Sequence, residues 1–217
     1  MTRTEAQHKL NAMPYTQWEP GVQSPGSACG PATMAALMEY WSTRKGRAFI
    51  RGAGHFDSKA AHINYIYSRH GGRPWGMSVR SFTKGVKAYI RSAITDDVYT
   101  RGLVSTAVFN DLERYKREID AGRPVALKFD KWTGFHWRGR YAYDYHWVLG
   151  IGYEDSDNGQ DTQLIIHDNG MRHQGGGFTP GKERRIPYPG NKDIITMVAL
   201  NIEMLNSNVF TDSILGI

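Results

Sequence analysis

The sequence lacks the features that would place it in a membrane or in a disulfide-stabilised class. Cys29 is the one cysteine among 217 residues, so no intrachain disulfide can form. No apolar run is long enough to cross a bilayer, and the polar segment Met1–Leu10 lacks the apolar core of a secretory signal. We therefore expect a soluble chain with no integral membrane segment and no signal peptide in this form. It would be cytoplasmic, or secreted by a route that the sequence does not show.

The sequence also lacks the patterns that bind catalytic or structural metals. None of the eight histidines has the HExxH spacing of a zinc hydrolase. A lone cysteine cannot supply the cysteine pair of a zinc finger or zinc ribbon. We therefore expect no metal and no other cofactor.

Basic residues are in excess, but they form no basic block. Lys and Arg number 27 against 21 Asp and Glu, which gives a formal charge of +6. They are scattered along the chain, without the runs or motifs of nucleic-acid-binding proteins. We interpret them as a solvated surface and expect no nucleic-acid partner. The sequence specifies no oligomeric state.

Helical spacing dominates the first half of the chain, and strand-like runs dominate the second. Apolar residues recur at three- and four-residue intervals in segments 32–42, 57–69, 79–91 and 105–121. Asp57 or Ser58 caps the second of these helices, Ser78 caps the third, and Ser105 or Asn110 opens the fourth. Short apolar runs occupy 124–129, 145–153, 162–167 and 194–200, and turn residues, among them Asn169-Gly170, separate them. A further short strand is possible at Val98–Tyr99. This segregation predicts an α+β fold, one domain over 1–217, with a helical half (20–121) packed on an antiparallel sheet (122–205) and a cleft between them.

Cys29 occupies a position that favours a reactive thiolate. It lies between a stretch rich in Pro, Gly and Ser and the helix predicted from Ala32. The free amides and the dipole of a helix N-terminus stabilise a thiolate, which is the nucleophilic form of cysteine. Gly30 leaves room for a substrate backbone, and Gln23, six positions upstream, can donate a hydrogen bond to an oxyanion. The alternative is that Cys29 is a small buried apolar residue.

A thiolate nucleophile needs a histidine, and that histidine needs an orienting carboxylate or amide. His146 begins the apolar strand 145–153, where its ring can face a cleft, although a half-buried structural histidine fits the same pattern. His136 is the nearest rival. Asp168 ends the following strand, 162–168, so an antiparallel pairing would bring it beside His146. Asp168 is also compatible with a plain turn residue.

Four short blocks occur in a fixed order along the chain. They are Gln23 with Ala28-Cys29-Gly30-Pro31-Ala32, then Gly122-Arg123-Pro124-Val125, then His146-Trp147-Val148-Leu149-Gly150-Ile151-Gly152-Tyr153, and finally the apolar strand that ends in Asp168. Together they resemble papain-like cysteine peptidases, most closely the branch that includes the double-glycine leader peptidases of bacteriocin exporters. The resemblance reaches from residue 20 to residue 200 and implies a papain-like fold.

The resemblance also implies a role for each matched residue. Cys29 is expected to be the nucleophile, and His146 its base and later its acid. Asp168 is expected to orient the imidazole, while Gln23 and the Cys29 amide form the oxyanion hole. Gly30 and Trp147 are expected to contact the substrate, which would be a peptide or a protein.

Three functions remain open on the sequence. The first is a cysteine peptidase. The second is a transferase, deamidase or cell-wall amidase that uses the same thiol site, and the third is a non-catalytic binding module on this scaffold. The aromatic segment Trp132–Tyr145, with Trp137, Tyr141 and Tyr143, is either a substrate-binding lid or ordinary surface packing.

Overall fold

The computed structural model describes residues 7–203 except positions 46, 48, 94–103, 133–134, 137–138, 157–160 and 174. Within these residues there are four α-helices: α1 (Cys29–Thr43), α2 (Lys59–Arg69), α3 (Val79–Ala93) and α4 (Leu112–Asp120). The described strands are β1 (Gln7–Lys9), β2 (Val104–Phe109), β3 (Val125–Asp130), β4 (Tyr145–Glu154), β5 (Gln163–Arg172), β6 (Phe178–Pro187) and β7 (Ile195–Ile202). The α+β class predicted from the sequence is confirmed.

All the described strands join one antiparallel sheet, whose order is β2-β7-β3-β4-β5-β6. The short β1 pairs with the end of β4, where Gln7 lies opposite Glu154. A register shift between Gly150 and Gly152 interrupts the pairing of β4 with β5. Because β4 lies inside the sheet, each of its side chains, including that of His146, has fixed neighbours on the strands to either side.

Ser78, and of the two candidates Asp57 and Ser58 the serine, make the hydrogen bonds expected of helix caps. Ser58 Oγ accepts the Ala61 amide at 3.1 Å, and Ser78 Oγ accepts the Ser81 amide at 3.1 Å. A serine hydroxyl at this position satisfies one of the amides that a helix leaves free at its N-terminus. The helices α2 and α3 therefore begin where the sequence indicates.

Several elements differ from the sequence-based prediction. Of the two predicted starts of the fourth helix, Ser105 lies inside a strand, because every residue of β2 pairs with β7. The helix α4 begins after a cap at Asp111, next to the other predicted start, Asn110. Asn169-Gly170 is predicted as a turn but lies inside β5. The polar strand β6 is not predicted at all, since an edge strand with exposed charges lacks a clear apolar alternation. The strand proposed at Val98–Tyr99 lies outside the described residues.

Apolar side chains fill both faces of the sheet. One cluster joins α1, α2 and α3 to the face that carries Trp147 and Leu149 of β4. A second cluster on the other face contains Val148 together with Tyr115 and Ile119 of α4. The helix α4 therefore packs on the opposite face from the other three, whereas the sequence predicts a single helical layer.

The helix α1 is the centre of the larger cluster. Every residue from Cys29 to Trp41 is buried, as expected of a helix that is apolar around most of its circumference. This burial fixes the position of Cys29 in the first turn. Among the described helices, neither α1 nor any other is both long and apolar enough to span a membrane.

Candidate active site

Cys29 is the first residue of α1 and lines a cleft between the helices and the sheet. A short 3₁₀ turn, Pro25–Ser27, ends just before it, and the intervening Ala28 provides no side-chain cap. The first amides of a helix have no acceptor within the helix, so those of α1 remain available to an anion. Cys29 is only 5% exposed, which leaves its thiol largely shielded from bulk water.

His146 and Asp168 meet across the pairing of β4 with β5. Asp168 lies opposite Val148, two residues along β4 from His146. The Nε2 atom of His146 is 2.9 Å from Oδ1 of Asp168, and both residues are buried. The side-by-side arrangement inferred from the two strands is therefore present. The rival His136 does not line the cleft.

Cys29 and His146 change each other's protonation. Burial raises the pKa of the Cys29 thiol, but His146 together with the backbone amides of Trp147 and Gly30 lowers it below its ordinary value. Burial lowers the pKa of His146, but hydrogen bonds to Asp168 and Cys29 raise it to about 9. Because Nε2 is bonded to Asp168, Nδ1 is the nitrogen left for the thiol. Each group therefore shifts the other towards its charged form, thiolate for Cys29 and imidazolium for His146.

Four donors hold the Asp168 carboxylate. His146 Nε2 and the Gly170 amide each lie 2.9 Å from Oδ1. The Tyr143 hydroxyl and Arg184 Nη1 lie 2.8 Å and 3.1 Å from Oδ2. Burial raises the pKa of Asp168, but the hydrogen bond and charge of His146, followed by the bonds from the Gly170 amide and Tyr143, lower it to about 2. Asp168 is therefore a carboxylate held in one orientation rather than a turn residue. The sequence gives no sign that Tyr143 and Arg184 donate hydrogen bonds to it.

The cleft has a volume of about 740 Å³, enough for several residues of an extended peptide. It is lined by residues 17–18, 26–27, 29, 74–76, 141–146 and 170–173. Tyr141 and Tyr143 of the proposed lid segment line it, whereas Trp137 lies outside the described residues. Within the described chain, no group of three or more His, Cys, Asp or Glu side chains is arranged to hold a metal ion.

The glutamine that the structure brings to the cleft is Gln17, not Gln23. The Gln23 side chain is exposed outside the cleft, and its backbone amide donates to Asn64 Oδ1 of α2 at 3.0 Å. Gln17 lines the cleft and is 5% exposed. Its Nε2 donates to the Pro25 carbonyl at 2.7 Å, and its buried Oε1 has no partner in the described part of the chain. The six-residue interval therefore points to a glutamine that lies outside the cleft, because the segment that carries Gln23 is bound to α2.

Gly30 and Trp147, expected to contact substrate, pack into the core instead. The Trp147 side chain is 0% exposed, stacks on Phe82 with 4.4 Å between ring centroids, and donates Nε1–H to the Met77 carbonyl at 2.7 Å. A Cβ on Gly30 would lie 2.8 Å from Met77 Cβ, so the missing side chain makes room for Met77 rather than for substrate. Only their backbone amides reach the site, where both lower the pKa of Cys29.

Asn169 connects α1 to the sheet beside these residues. Its Nδ2 atom donates to the Cys29 carbonyl at 3.0 Å, to Thr33 Oγ1 at 2.7 Å and to the Trp147 carbonyl at 2.8 Å. The backbone carbonyl of Asn169 accepts a hydrogen bond from the backbone N–H of Gln17 at 2.9 Å. One buried residue therefore fixes the nucleophile helix, the histidine strand and the glutamine segment relative to one another. An Asp-Asn-Gly sequence indicates only a turn and gives no sign of this role.

The model of one protein family matches most of the chain. It is described as the Peptidase_C39 like family, and the match covers residues 9–180. This range includes Gln17, Cys29, His146 and Asp168. A search of curated proteins finds no match.

Solved structures that resemble the chain share its fold at low sequence identity. The peptidase domain of Streptococcus ComA, described as a bi-functional ABC transporter involved in a quorum sensing pathway, is 13% identical, with 90% of this chain and 99% of that chain covered and a TM-score of 0.47. A C39-like peptidase from Bacillus anthracis is 12% identical, with coverages of 90% and 98% and a TM-score of 0.49. UfSP from C. elegans is 9% identical, with coverages of 95% and 36% and a TM-score of 0.54.

Proposed function

Since the chain belongs to the Peptidase_C39 like family, we propose that it is a cysteine peptidase that hydrolyses peptide bonds with Cys29, His146 and Asp168. The observation that carries this proposal is the hydrogen bond of His146 to Asp168 in the same cleft as Cys29, whose pKa His146 lowers and which begins a buried helix. A nucleophile, its base and the group that orients the base are the three parts that acyl transfer requires.

In the first half of the reaction the Cys29 thiolate attacks the carbonyl carbon of the scissile bond. A carbon–sulfur bond forms, and the carbonyl electrons move to oxygen as an oxyanion. When this intermediate collapses, the carbon–nitrogen bond breaks and His146 gives its proton to the leaving amine. The products of this half are a free amine and an acyl group held on Cys29 as a thioester.

Water completes the second half. His146, now neutral, takes a proton from the attacking water, and a second oxyanion forms at the same carbon. Its collapse breaks the carbon–sulfur bond, releases the carboxylic acid product and restores the thiolate and imidazolium. Asp168 stays ionised throughout and holds the ring by Nε2, so that Nδ1 faces the sulfur.

We assign the oxyanion hole to Gln17 and the Cys29 backbone amide, in place of Gln23. Gln17 Nε2 has two hydrogens, of which one is bonded to the Pro25 carbonyl, so the other is free to donate into the cleft. The Cys29 amide is one of the helix amides without an intrahelical acceptor. Donors that are fixed before the reaction stabilise the developing charge without reorganising.

Alkylation of the single cysteine tests the ion pair without knowledge of the substrate. At pH 6 an ordinary thiol is only about 0.3% thiolate, and the lowered pKa of Cys29 gives it a larger thiolate fraction. Allowing for the lower nucleophilicity of a low-pKa thiol, we expect iodoacetamide to label Cys29 at least about tenfold faster than a free cysteine peptide. His146→Gln should bring the rate down to that of the peptide. Equal rates for the wild type and the peptide would refute the proposal.

Cleavage of a peptide library, followed by mass spectrometry, tests the reaction itself. Wild-type protein should generate fragments, and Cys29→Ser should generate none. In water enriched in oxygen-18, hydrolysis places one heavy oxygen in each new carboxylate, whereas transfer to another acceptor places none. Labelled fragments would support a peptidase, and unlabelled conjugates would favour a transferase at the same site.

A further inference from the structure

Asp168 is contacted by a cation that the proposed mechanism does not use. Arg184 of β6 donates from Nη1 to Asp168 Oδ2 at 3.1 Å and to the Tyr143 hydroxyl at 3.3 Å. Its guanidinium also lies over the Tyr143 ring, 5.4 Å from the ring centroid. Tyr143 donates to the same Oδ2 at 2.8 Å. Arg184 and Tyr143 therefore act together on the carboxylate oxygen that does not contact His146.

These contacts have two physical effects on the pairing of Asp168 with His146. They restrict rotation of the carboxylate, because both oxygens are bonded. They also reduce its attraction for a proton on the imidazole, since a positive charge next to Oδ2 cancels part of the carboxylate's field at His146. An imidazolium that holds its proton too strongly is a poor acid towards a leaving amine. The second effect therefore favours the acid step.

We propose that Arg184 is a positioning residue that, with Tyr143, fixes the Asp168 carboxylate and weakens the hold of His146 on its proton. This inference rests on the proposed function. It goes further, because it assigns a residue on the outermost strand β6 to the acid–base balance of the site. The reaction steps are unchanged, and Arg184 touches none of the reacting atoms.

Other charged groups surround the same site. Lys182 of β6 lies directly opposite Asp168 in the strand register, is exposed, and has no hydrogen bond or ion pair within the described residues. The others are Cys29 of α1, Tyr145 of β4, the Lys128–Asp130 ion pair of β3 near the Tyr145 ring, and Asp144, Arg172 and His173 along the cleft. Apart from His146, Arg184 is the only cation in the described part of the chain that contacts the Asp168 carboxylate.

The pH profile of Cys29 alkylation measures the proposed effect. A thiolate–imidazolium pair gives two steps in the rate, one where the thiol ionises and an upper one where the imidazolium loses its proton. The full chain is treated with iodoacetamide from about pH 4 to about pH 10, and the labelled fraction is followed by mass spectrometry. The variants are Arg184→Gln, Arg184→Lys, Tyr143→Phe and Lys182→Gln, each with its melting temperature measured.

We expect the upper step of Arg184→Gln to lie about 0.5–1 pH unit above that of the wild type, because the competing positive charge is gone. Tyr143→Phe should move it in the same direction, since Oδ2 loses a donor. Arg184→Lys keeps the charge and should stay near the wild type. Lys182→Gln removes an equal charge from the same face of β6 without a contact to Asp168, and it should leave the step unmoved.

Two results would overturn the inference. One is an upper step in Arg184→Gln that coincides with the wild type or falls below it, with only the melting temperature lowered, as for a purely structural residue. The other is an equal shift in Lys182→Gln, which would show a general charge effect. If Arg184→Gln does not fold, an unmoved step in Tyr143→Phe refutes the inference instead. In all these cases the proposed function stands if iodoacetamide labels wild-type Cys29 faster than a free cysteine peptide at pH 6. If it does not, the proposed function is refuted separately.

Discussion

Replacing Asn169 with Ala removes one amide that serves three buried acceptors. The side chain is 1% exposed, and its Nδ2 reaches the Cys29 carbonyl, Thr33 Oγ1 and the Trp147 carbonyl at 3.0, 2.7 and 2.8 Å. A buried polar group that loses its partner costs about 1–3 kcal/mol. Because the amide has two hydrogens, it fully satisfies about two of the three acceptors. We therefore expect Asn169→Ala to reduce the free energy of unfolding by about 2–6 kcal/mol, a large part of the roughly 5–15 kcal/mol of a typical domain.

Urea denaturation followed by tryptophan fluorescence measures this loss, and an unchanged denaturant slope would show that the unfolded state is not altered. Asn64→Ala is the matched control. Asn64 also makes two side-chain hydrogen bonds, to the Gly21 carbonyl at 2.9 Å and from the Gln23 amide at 3.0 Å, but on the exposed surface. Water can replace those bonds, so we expect a loss of no more than about 1 kcal/mol.

Asn169→Asp separates the hydrogen bonds from the packing. The carboxylate has nearly the same shape as the amide, but at neutral pH it can only accept hydrogen bonds and would face three acceptors. This variant should be at least as unstable as Asn169→Ala at pH 7 and should recover part of the loss as the carboxylate is protonated. The reasoning is refuted if Asn169→Ala loses less than about 1 kcal/mol, or no more than Asn64→Ala.

Three other predictions use the same preparations. For a peptide substrate found by library cleavage, Gln17→Ala is expected to reduce kcat about a hundred- to a thousandfold. The kcat of Gln23→Ala should stay within about twofold of the wild type, and equal losses in the two variants would contradict the assignment of the oxyanion hole. Burial lowers the pKa of His62 from 6.5 to about 3, so between these pH values the unfolded chain binds more protons than the folded chain. The free energy of unfolding should therefore fall as the pH is lowered from 6.5 to about 3, and less steeply in His62→Gln; equal slopes would contradict this. Gly30→Ala should lose about 1–3 kcal/mol in urea, because the new Cβ would crowd Met77, and unchanged stability would show that Met77 moves aside.

The parts of the site that the sequence predicts depend on neighbouring elements. Cys29 is found because the residues before it cannot be helical and those after it form helix readily. His146 and Asp168 are found because consecutive strands commonly pair, which brings the start of one beside the end of the next. Each of these inferences needs only local propensity and a short connection. Their catalytic roles stay predictions until the reaction is measured.

The parts that the sequence misses depend on packing between distant segments. Spacing along the chain selects Gln23, whereas the structure brings Gln17 to the cleft because Tyr15, 1% exposed, and its neighbours are packed against the body. That inward packing is the one signal that could have indicated Gln17. Trp147 could have been assigned correctly, since adjacent residues of a strand face opposite sides, and a histidine directed at Asp168 turns the next side chain towards the helices. Arg184 belongs to an edge strand whose polar sequence gives no sign of its partner.

The end of β5 shows why the site and the fold depend on the same register. Asp168 faces Tyr143 and Arg184 on one side of the sheet, while Asn169 faces α1 on the other. Gly170 then adopts a φ of +95°, which glycine accepts readily, and its amide bonds back to Asp168 Oδ1 at 2.9 Å. A slip of one residue would turn the Asp168 carboxylate towards the Cys29 carbonyl and Thr33 hydroxyl of α1, and the Asn169 amide towards the imidazole. The slip would leave the Asp168 carboxylate facing other hydrogen-bond acceptors and His146 without its carboxylate, both in buried positions. The strand pairing that stabilises the sheet is therefore also the pairing that forms the proposed triad.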